Sequence, residues 1–341
     1  MPSLTSRSKP SGADAPVGRK LKVLHAMTWL SEGGGVDREV FLTVGCLLDD
    51  YEVHLAVGSE IRQNPFTELK GLRFIVCPDL VRSISPLRDL KALLFFYRLI
   101  LREGYDVVHT HETKASLIVR LAARLAGCPL IIYGLAGVTF NDPMSRVKRC
   151  VYIWLERLTI RAAHRVVAVS RSVVDHYRDN GIGTGMPLSV VYSGIDIERF
   201  DREAVAGRKR RDELRSSLGI GKDELVLINV GRFSRSKAQR YTIRAFERLR
   251  SEHPGLKLLL VGDGELRPRC MELAEELGVA SDTVFYGFTD DVAQAFSLGD
   301  IQLLTSLREG LPRVAVESYL CGVPLVSFEV EGVREIVEDG A

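Results

Sequence analysis

Apolar residues along this chain fall into short unbroken runs and longer, spaced sets, and the two kinds alternate. The runs LKVLHAM (21–27), VHLAVGS (53–59), LRFIVC (72–77), DVVHTH (106–111), PLIIYGL (129–135) and RVVAVS (165–170) predict strands buried on both faces. Between them, helical spacing predicts helices running to Leu48, over 86–102, 114–126 and 144–163, and into Tyr177. Such alternation builds a parallel sheet with helices on both faces.

Between about 180 and 225 the rhythm breaks. GIGTGMP is turn-rich, SVVYSGID reads as a short strand and turn, and DREAVAGRKRRDELRSSLG as a charged helix. The pattern then restarts with strands at 224–232, 256–264, 283–288, 301–306 and 324–330, and helices over 237–252, 265–277, 290–298 and 312–321. One α/β architecture therefore occurs twice. The predicted division is a disordered polar tail (1–20), a Rossmann-like domain (21–190) and a second Rossmann-like domain (191–341). The second stops at EIVEDGA, where more sheet and helix are expected, so a C-terminal truncation is expected.

Composition narrows the partners. A chain of 341 residues can bury two cores, and a net charge of +2 gives no overall pull toward nucleic acid. The first 200 residues are net basic and the rest net acidic, a weak pointer to an anionic partner for the first half. Six cysteines stand singly at 46, 77, 128, 150, 270 and 321, which fits neither a metal cluster nor a disulfide framework and favours a reducing compartment. Residues 1–20 lack a signal peptide's apolar core, and no apolar run approaches the roughly 20 residues of a membrane span. A cytoplasmic location is expected. The basic, apolar-interleaved segment Met144–Arg165 leaves two readings open: a helix lying on an anionic membrane face, or one simply half-buried.

The segment SLREGLPRVAVESYLCGVPLV (306–326) carries the chemistry. Pro312 suits a helix start, which places Glu309 and Gly310 in the turn after a strand and Glu317 more than one turn into the helix. Unpaired amides at that start favour an anion such as diphosphate, so the two carboxylates should face hydroxyls. In NVGRFSRSKAQ (229–239), Gly231 ends a strand and Arg232 and Lys237 follow, placed to clamp an anion. Gly262 and Gly264 in VGDGEL, and Gly287 in TVFYGF, repeat the strand-then-glycine device. Gly33, Gly34 and Gly35 join the first strand to its helix without forming the dinucleotide fingerprint G-x-G-x-x-G.

Taken together, these segments resemble the retaining glycosyltransferases of the GT-B fold, glycosyltransferase family 4, also called the glycosyl transferases group 1. The resemblance spans about residues 21–341, with weaker echoes in DVVHTHETKA, RVVAVSRSV and VVYSGIDIERF. It implies two facing Rossmann-like domains with a cleft between them. It also implies that Arg232 and Lys237 bind the donor diphosphate and that Glu309 contacts the transferred sugar. Gly310, Leu311 and Pro312 would lie near sugar and phosphates, Glu317 on the ribose, Gly34 and Gly35 near phosphate, and Gly287 and Phe288 near the base. Three departures stand out: Ala136-Gly137 where relatives often carry His-Gly, Lys237-Ala238 for the usual Lys-Gly, and Ser193 for the usual Asn.

The activity this implies is retaining transfer of a sugar from a nucleoside-diphosphate-sugar to an acceptor hydroxyl. The resemblance also implies that no metal or cofactor is required; no D-x-D motif is evident, and cationic side chains would stabilise the leaving diphosphate. The acceptor would be a glycan or lipid-linked molecule of cell-surface polysaccharide or lipopolysaccharide assembly, met at the inner face of the plasma membrane. A dehydrogenase lacks its glycine fingerprint here, and an epimerase or phosphorylase would not call for the two spaced glutamates. The remaining alternative is a non-catalytic sugar-nucleotide-binding or scaffold protein, suggested by Ala136.

Overall fold

The computed structural model describes residues 19–31, 33–138 and 145–338. Apart from Arg19 and Lys20, the expected tail lies outside the described residues, as do residue 144 of the predicted helix 144–163 and the last three residues.

The first sheet is built from β1 (Lys22–Met27), β2 (Glu52–Gly58), β3 (Arg73–Cys77), β4 (Val107–His111), β5 (Leu130–Leu135), β6 (Arg165–Ala168) and β7 (Leu188–Val190). Its order is β3-β2-β1-β4-β5-β6-β7, all parallel. Helices α1 (Gly35–Leu47), α2 (Pro86–Glu103), α3 (Thr113–Leu125), α4 (Arg146–Thr159) and α5 (Arg171–Asp179) alternate with these strands. Alternating side chains feed two cores. Leu24, Ala26 and Val108 pack with Phe96 and Ile100 of α2 and Val119 of α3, whereas Met27, Leu55 and Val57 pack with Val40 and Val44 of α1.

After α6 (Ile197–Ser217) the second sheet follows: β8 (Leu225–Val230), β9 (Leu256–Val261), β10 (Thr283–Gly287), β11 (Ile301–Leu304) and β12 (Leu325–Ser327), in the order β10-β9-β8-β11-β12. Its helices are α7 (Gln239–Glu252), α8 (Arg267–Glu276), α9 (Val292–Ser297) and α10 (Arg313–Leu320). Arg215 fixes α6 to this body. Its buried guanidinium donates to the carbonyls of Leu298 (2.8 and 3.1 Å) and Glu224 (3.0 Å) and to Asp300 (2.8 Å).

Strands end sooner than their apolar runs suggest, for local reasons. β6 stops at Ala168 because Ser170 turns to cap α5, its hydroxyl accepting from Val173 N–H (3.3 Å). Beyond β11, Thr305 leaves the sheet for the Thr242 hydroxyl (2.7 Å). Helix α4 begins at Arg146 and closes in a 3₁₀ turn at Ile160–Ala162.

Candidate active site

In each sheet the strand order reverses beside the first strand, between β1 and β4 and between β8 and β11. Ligands in such sheets bind beyond the strand C-termini at that reversal. The two reversals face each other, and their loops meet.

From the first body comes the turn after β1. Gly34 caps α1 from an extended conformation, and the Asp37 carboxylate accepts the N–H (2.9 Å) and the hydroxyl of Ser31, which closes the turn. Burial raises the Asp37 pKa despite those bonds. Gly33 adopts φ +68°, and a methyl group there would sit 2.5 Å from the Phe288 ring of the second body. This is a close approach that only glycine permits. Gly35 is roomier, its nearest neighbour being the Arg313 side chain at 3.8 Å from an added methyl.

From the second body come three loops. Gly262 (φ +128°) passes so close to the Gly231 carbonyl that a methyl would fall under 3.0 Å from it, and its N–H donates to the Gly287 carbonyl (2.7 Å). The loop after β8 is held by Gln239, whose amide donates to the carbonyls of Gly231 (3.2 Å) and Arg232 (3.0 Å). Ala238 opens α7 at φ +51°. That left-handed conformation explains why glycine is usual there, and alanine holds it at a cost of roughly 1–2 kcal/mol.

The charged residues divide among three places. Lys237 Nζ bonds Glu309 Oε1 at 2.6 Å, with Leu307 N–H on the Ser236 carbonyl (2.8 Å) tying their loops together. Arg232 is half-removed from this pair. Its guanidinium lies 4.9 Å from the centre of the Trp29 ring, which Arg82 also approaches at 4.0 Å. Burial, then Arg82, lowers the Arg232 pKa. Glu317 is enclosed, with 3% of its side chain exposed, and has Arg313 at 3.8 Å and Arg38 of α1 at 4.0 Å. Burial raises its pKa, and the two arginines oppose the rise.

A cavity of about 290 Å³ separates the bodies, walled by Glu112, Ala136 and Gly137 on one side and Arg308, Glu309 and Gly310 on the other. At its edge three backbones stack. A methyl on Gly310 would fall under 3.0 Å from the Ala136 carbonyl, and one on Gly332 (φ +76°) under 3.0 Å from the Gly310 carbonyl. Leu311 packs onto the first body's core, and Pro312 occupies the N-cap of α10 rather than its first turn.

The structure thus brings Glu309 and Gly310 to the cavity wall, with Lys237 paired to Glu309. It sets Gly33, Gly34, Gly35, Glu317 and Phe288 around the meeting of α1 with the second body, and places Arg232 on Trp29. Sequence reasoning passed over Glu112, Trp29 and Arg308. Glu112, the N-cap of α3 directly after β4, sits at φ +62°, a strained conformation for a side chain of its size. Its carboxylate accepts Thr28 N–H (2.8 Å), and burial, with Asp37 nearby, pushes its pKa up to about 7. Arg308 reaches the Val138 carbonyl at 3.5 Å. Its place directly before Glu309 was the available signal.

The family "Glycosyl transferases group 1" matches residues 210–341, and "Glycosyl transferase 4-like domain" matches residues 34–191. The chain is a GT-B glycosyltransferase of group 1. Family relatives agree over most of its length. An Escherichia coli UDP-Gal:alpha-D-GlcNAc-diphosphoundecaprenol alpha-1,3-galactosyltransferase is 27% identical over 272 residues, 79% of this chain and 69% of that protein. The putative glycosyltransferase EpsD of Bacillus subtilis is 26% identical over 85% of this chain and 74% of its own. In fold, Anabaena Alr3699/HepE, solved in complex with UDP and glucose, superposes with a TM-score of 0.76 at 22% identity over 94% of this chain and 84% of that one. WaaG, a glycosyltransferase involved in lipopolysaccharide biosynthesis, gives 0.73 at 18% identity over 92% and 83%. Group 1 membership makes the chain an enzyme that uses a nucleotide sugar, related to enzymes of lipopolysaccharide and polysaccharide synthesis.

Proposed function

We propose that this enzyme is a retaining transferase that moves a sugar from a uridine-diphosphate donor to a hydroxyl of a lipid-linked acceptor, in cell-surface glycan assembly. The observation that carries it is the Lys237–Glu309 pair, set at the mouth of an interdomain cavity beside the start of α10. On this reading Lys237, joined by Arg232 once it swings from Trp29, takes the charge of the departing diphosphate. The α10 amides add to it, so transfer needs no metal. Glu309 accepts from sugar hydroxyls, Glu317 from the ribose, and Phe288 lies by the base. The departing phosphate receives the acceptor proton. Uridine and the lipid-linked acceptor are carried over from the E. coli relative's name.

The test is donor binding. At about one hundred times its dissociation constant, UDP should stabilise the fold by about 2.7 kcal/mol. Glu317→Ala should remove most of that gain, while a GDP-for-UDP exchange should give none. Equal stabilisation of Glu317→Ala and wild type would reject the ribose assignment.

The membrane reading rests on α4. Val147, Val151, Trp154 and Leu158 are exposed, Val147 at 75% and Trp154 at 61%, and their spacing puts them on one line. Arg146, Lys148 and Arg157 flank that line. Among the described residues no helix is long and apolar enough to cross a membrane. A stripe of this kind instead lies in the interface of an anionic bilayer. Val151→Ser with Trp154→Ser should weaken co-sedimentation with phosphatidylglycerol vesicles by more than about tenfold, given ~1.5–3 kcal/mol per buried apolar side chain. Unchanged binding would remove α4 from the membrane contact.

A further inference from the structure

Three of the chain's seven histidines meet in one place. His25 of β1 and His109 of β4 are register partners in the parallel pair, and His111, two residues along, shares their face. One ring nitrogen from each lies within 4.8 Å of the other two. His25 Nδ1 and His111 Nε2 form a 3.0 Å hydrogen bond. Among the described residues His109 Nε2 is buried without a hydrogen-bond partner, as is the second nitrogen of His25, Nε2. A buried unpaired polar atom costs about 1–3 kcal/mol, so the orphaned His109 nitrogen beside two other imidazoles calls for a ligand. Gly134 of β5 stands beside them. A methyl there would lie 3.1 Å from His109 Nε2 and 3.3 Å from His111 Nδ1, and Gly134 itself lines the interdomain cavity. The imidazoles therefore sit beneath a stretch of cavity floor that has no side chain.

We propose that His25, His109 and His111 form a binding site for a divalent transition cation of the zinc class. Zinc–nitrogen bonds of about 2.0–2.1 Å in a tetrahedron set ligand nitrogens roughly 3.3 Å apart. The nitrogens, 3.0 Å apart for His25 and His111 and all within 4.8 Å of one another, would reach that spacing by ring rotation, with the ion replacing the His25–His111 hydrogen bond. Three imidazoles leave a fourth position of the tetrahedron for a further ligand. The cluster has no carboxylate, which disfavours calcium and magnesium. Burial keeps all three rings neutral, the form that ligates, with His109 lowered to about 4. The ion would brace β1 against β4 under the cavity. The transfer step proposed above does not draw on it.

Zinc binding to the full chain, stripped of metal, tests this. Exposed Cys46 and Cys150 are first replaced by serine so that they cannot compete. Zinc titrated against a chromophoric chelator should be held at one equivalent per chain, and cobalt should give visible d–d absorption. His109→Ala should lower zinc affinity by at least about a hundredfold. His109→Cys should keep the ion and add a thiolate-to-cobalt charge-transfer band, which decides the matter if the alanine variant does not fold. If the parent chain holds no more zinc than His109→Ala, or if the cysteine variant shows no such band, the three rings bond only to one another and the proposal fails.

Discussion

Lys237→Ala is expected to lower kcat by about 10²–10³-fold while leaving the fold intact. The ammonium stands 2.6 Å from Glu309, with 26% of the lysine side chain and 11% of the glutamate side chain exposed. With so little of the glutamate exposed, losing the lysine leaves a largely buried carboxylate unpaired at a cost of about 1–3 kcal/mol, so the melting temperature should fall by a few degrees. Catalysis is different, because two effects add. On the proposed reading, the charge that meets the leaving phosphate disappears, and Glu309 is left uncompensated where that phosphate would dock. Adding Glu309→Gln to Lys237→Ala should therefore cost less than the two single losses combined, since the repulsion goes with the carboxylate. Turnover of a UDP-sugar by the three variants is the measurement. Wild-type turnover in Lys237→Ala would remove this lysine from the chemistry.

Gly310→Ala should also be damaging, through geometry rather than charge. A methyl at this position meets the Ala136 carbonyl at less than 3.0 Å, and both partners are backbone. Neither can turn aside as a side chain would, so the two bodies must separate. Overpacking of this kind costs about 1–3 kcal/mol. Here the cost falls on the seam, since Gly310 lies outside both sheets. Transfer should fall more than about tenfold, given how steeply rate depends on ångström placement. Small-angle scattering should show a larger radius of gyration, with helix content unchanged. Gly137→Ala is the control, because an added methyl there comes no closer than 4.0 Å to Gly310 Cα. Equal damage from both substitutions would show that the seam is not what matters.

The sequence displayed its strands because parallel strands covered on both faces carry almost no polar residues, as LVLINV and LKLLLV demonstrate. Strand ends were less visible. Whether Ser170 continues β6 or caps α5 depends on which amide its hydroxyl reaches, and composition does not encode that. The loop carrying Lys237 and Glu309 was readable because glycine and proline mark it. Trp29 and Glu112 were not, because their neighbours come from far along the chain: Arg232 stacks on Trp29 only once the two bodies meet. The histidine cluster shows the limit most clearly. His109 and His111 stand in plain view as one strand motif, but the third ring comes from His25, whose register against β4 no local pattern states.

Between β7 and α6 only residues 191–196 join the two bodies, and both walls grip that short link. Ser193 donates to Glu39 of α1 (3.0 Å), and Arg313 of α10 donates to the Gly194 carbonyl (2.6 Å). Six residues span at most about 20 Å, so the halves can pivot but cannot drift apart. Each half then sees the other at an effective concentration in the millimolar range. Should the halves part, their reassembly is a first-order event, insensitive to how dilute the enzyme is.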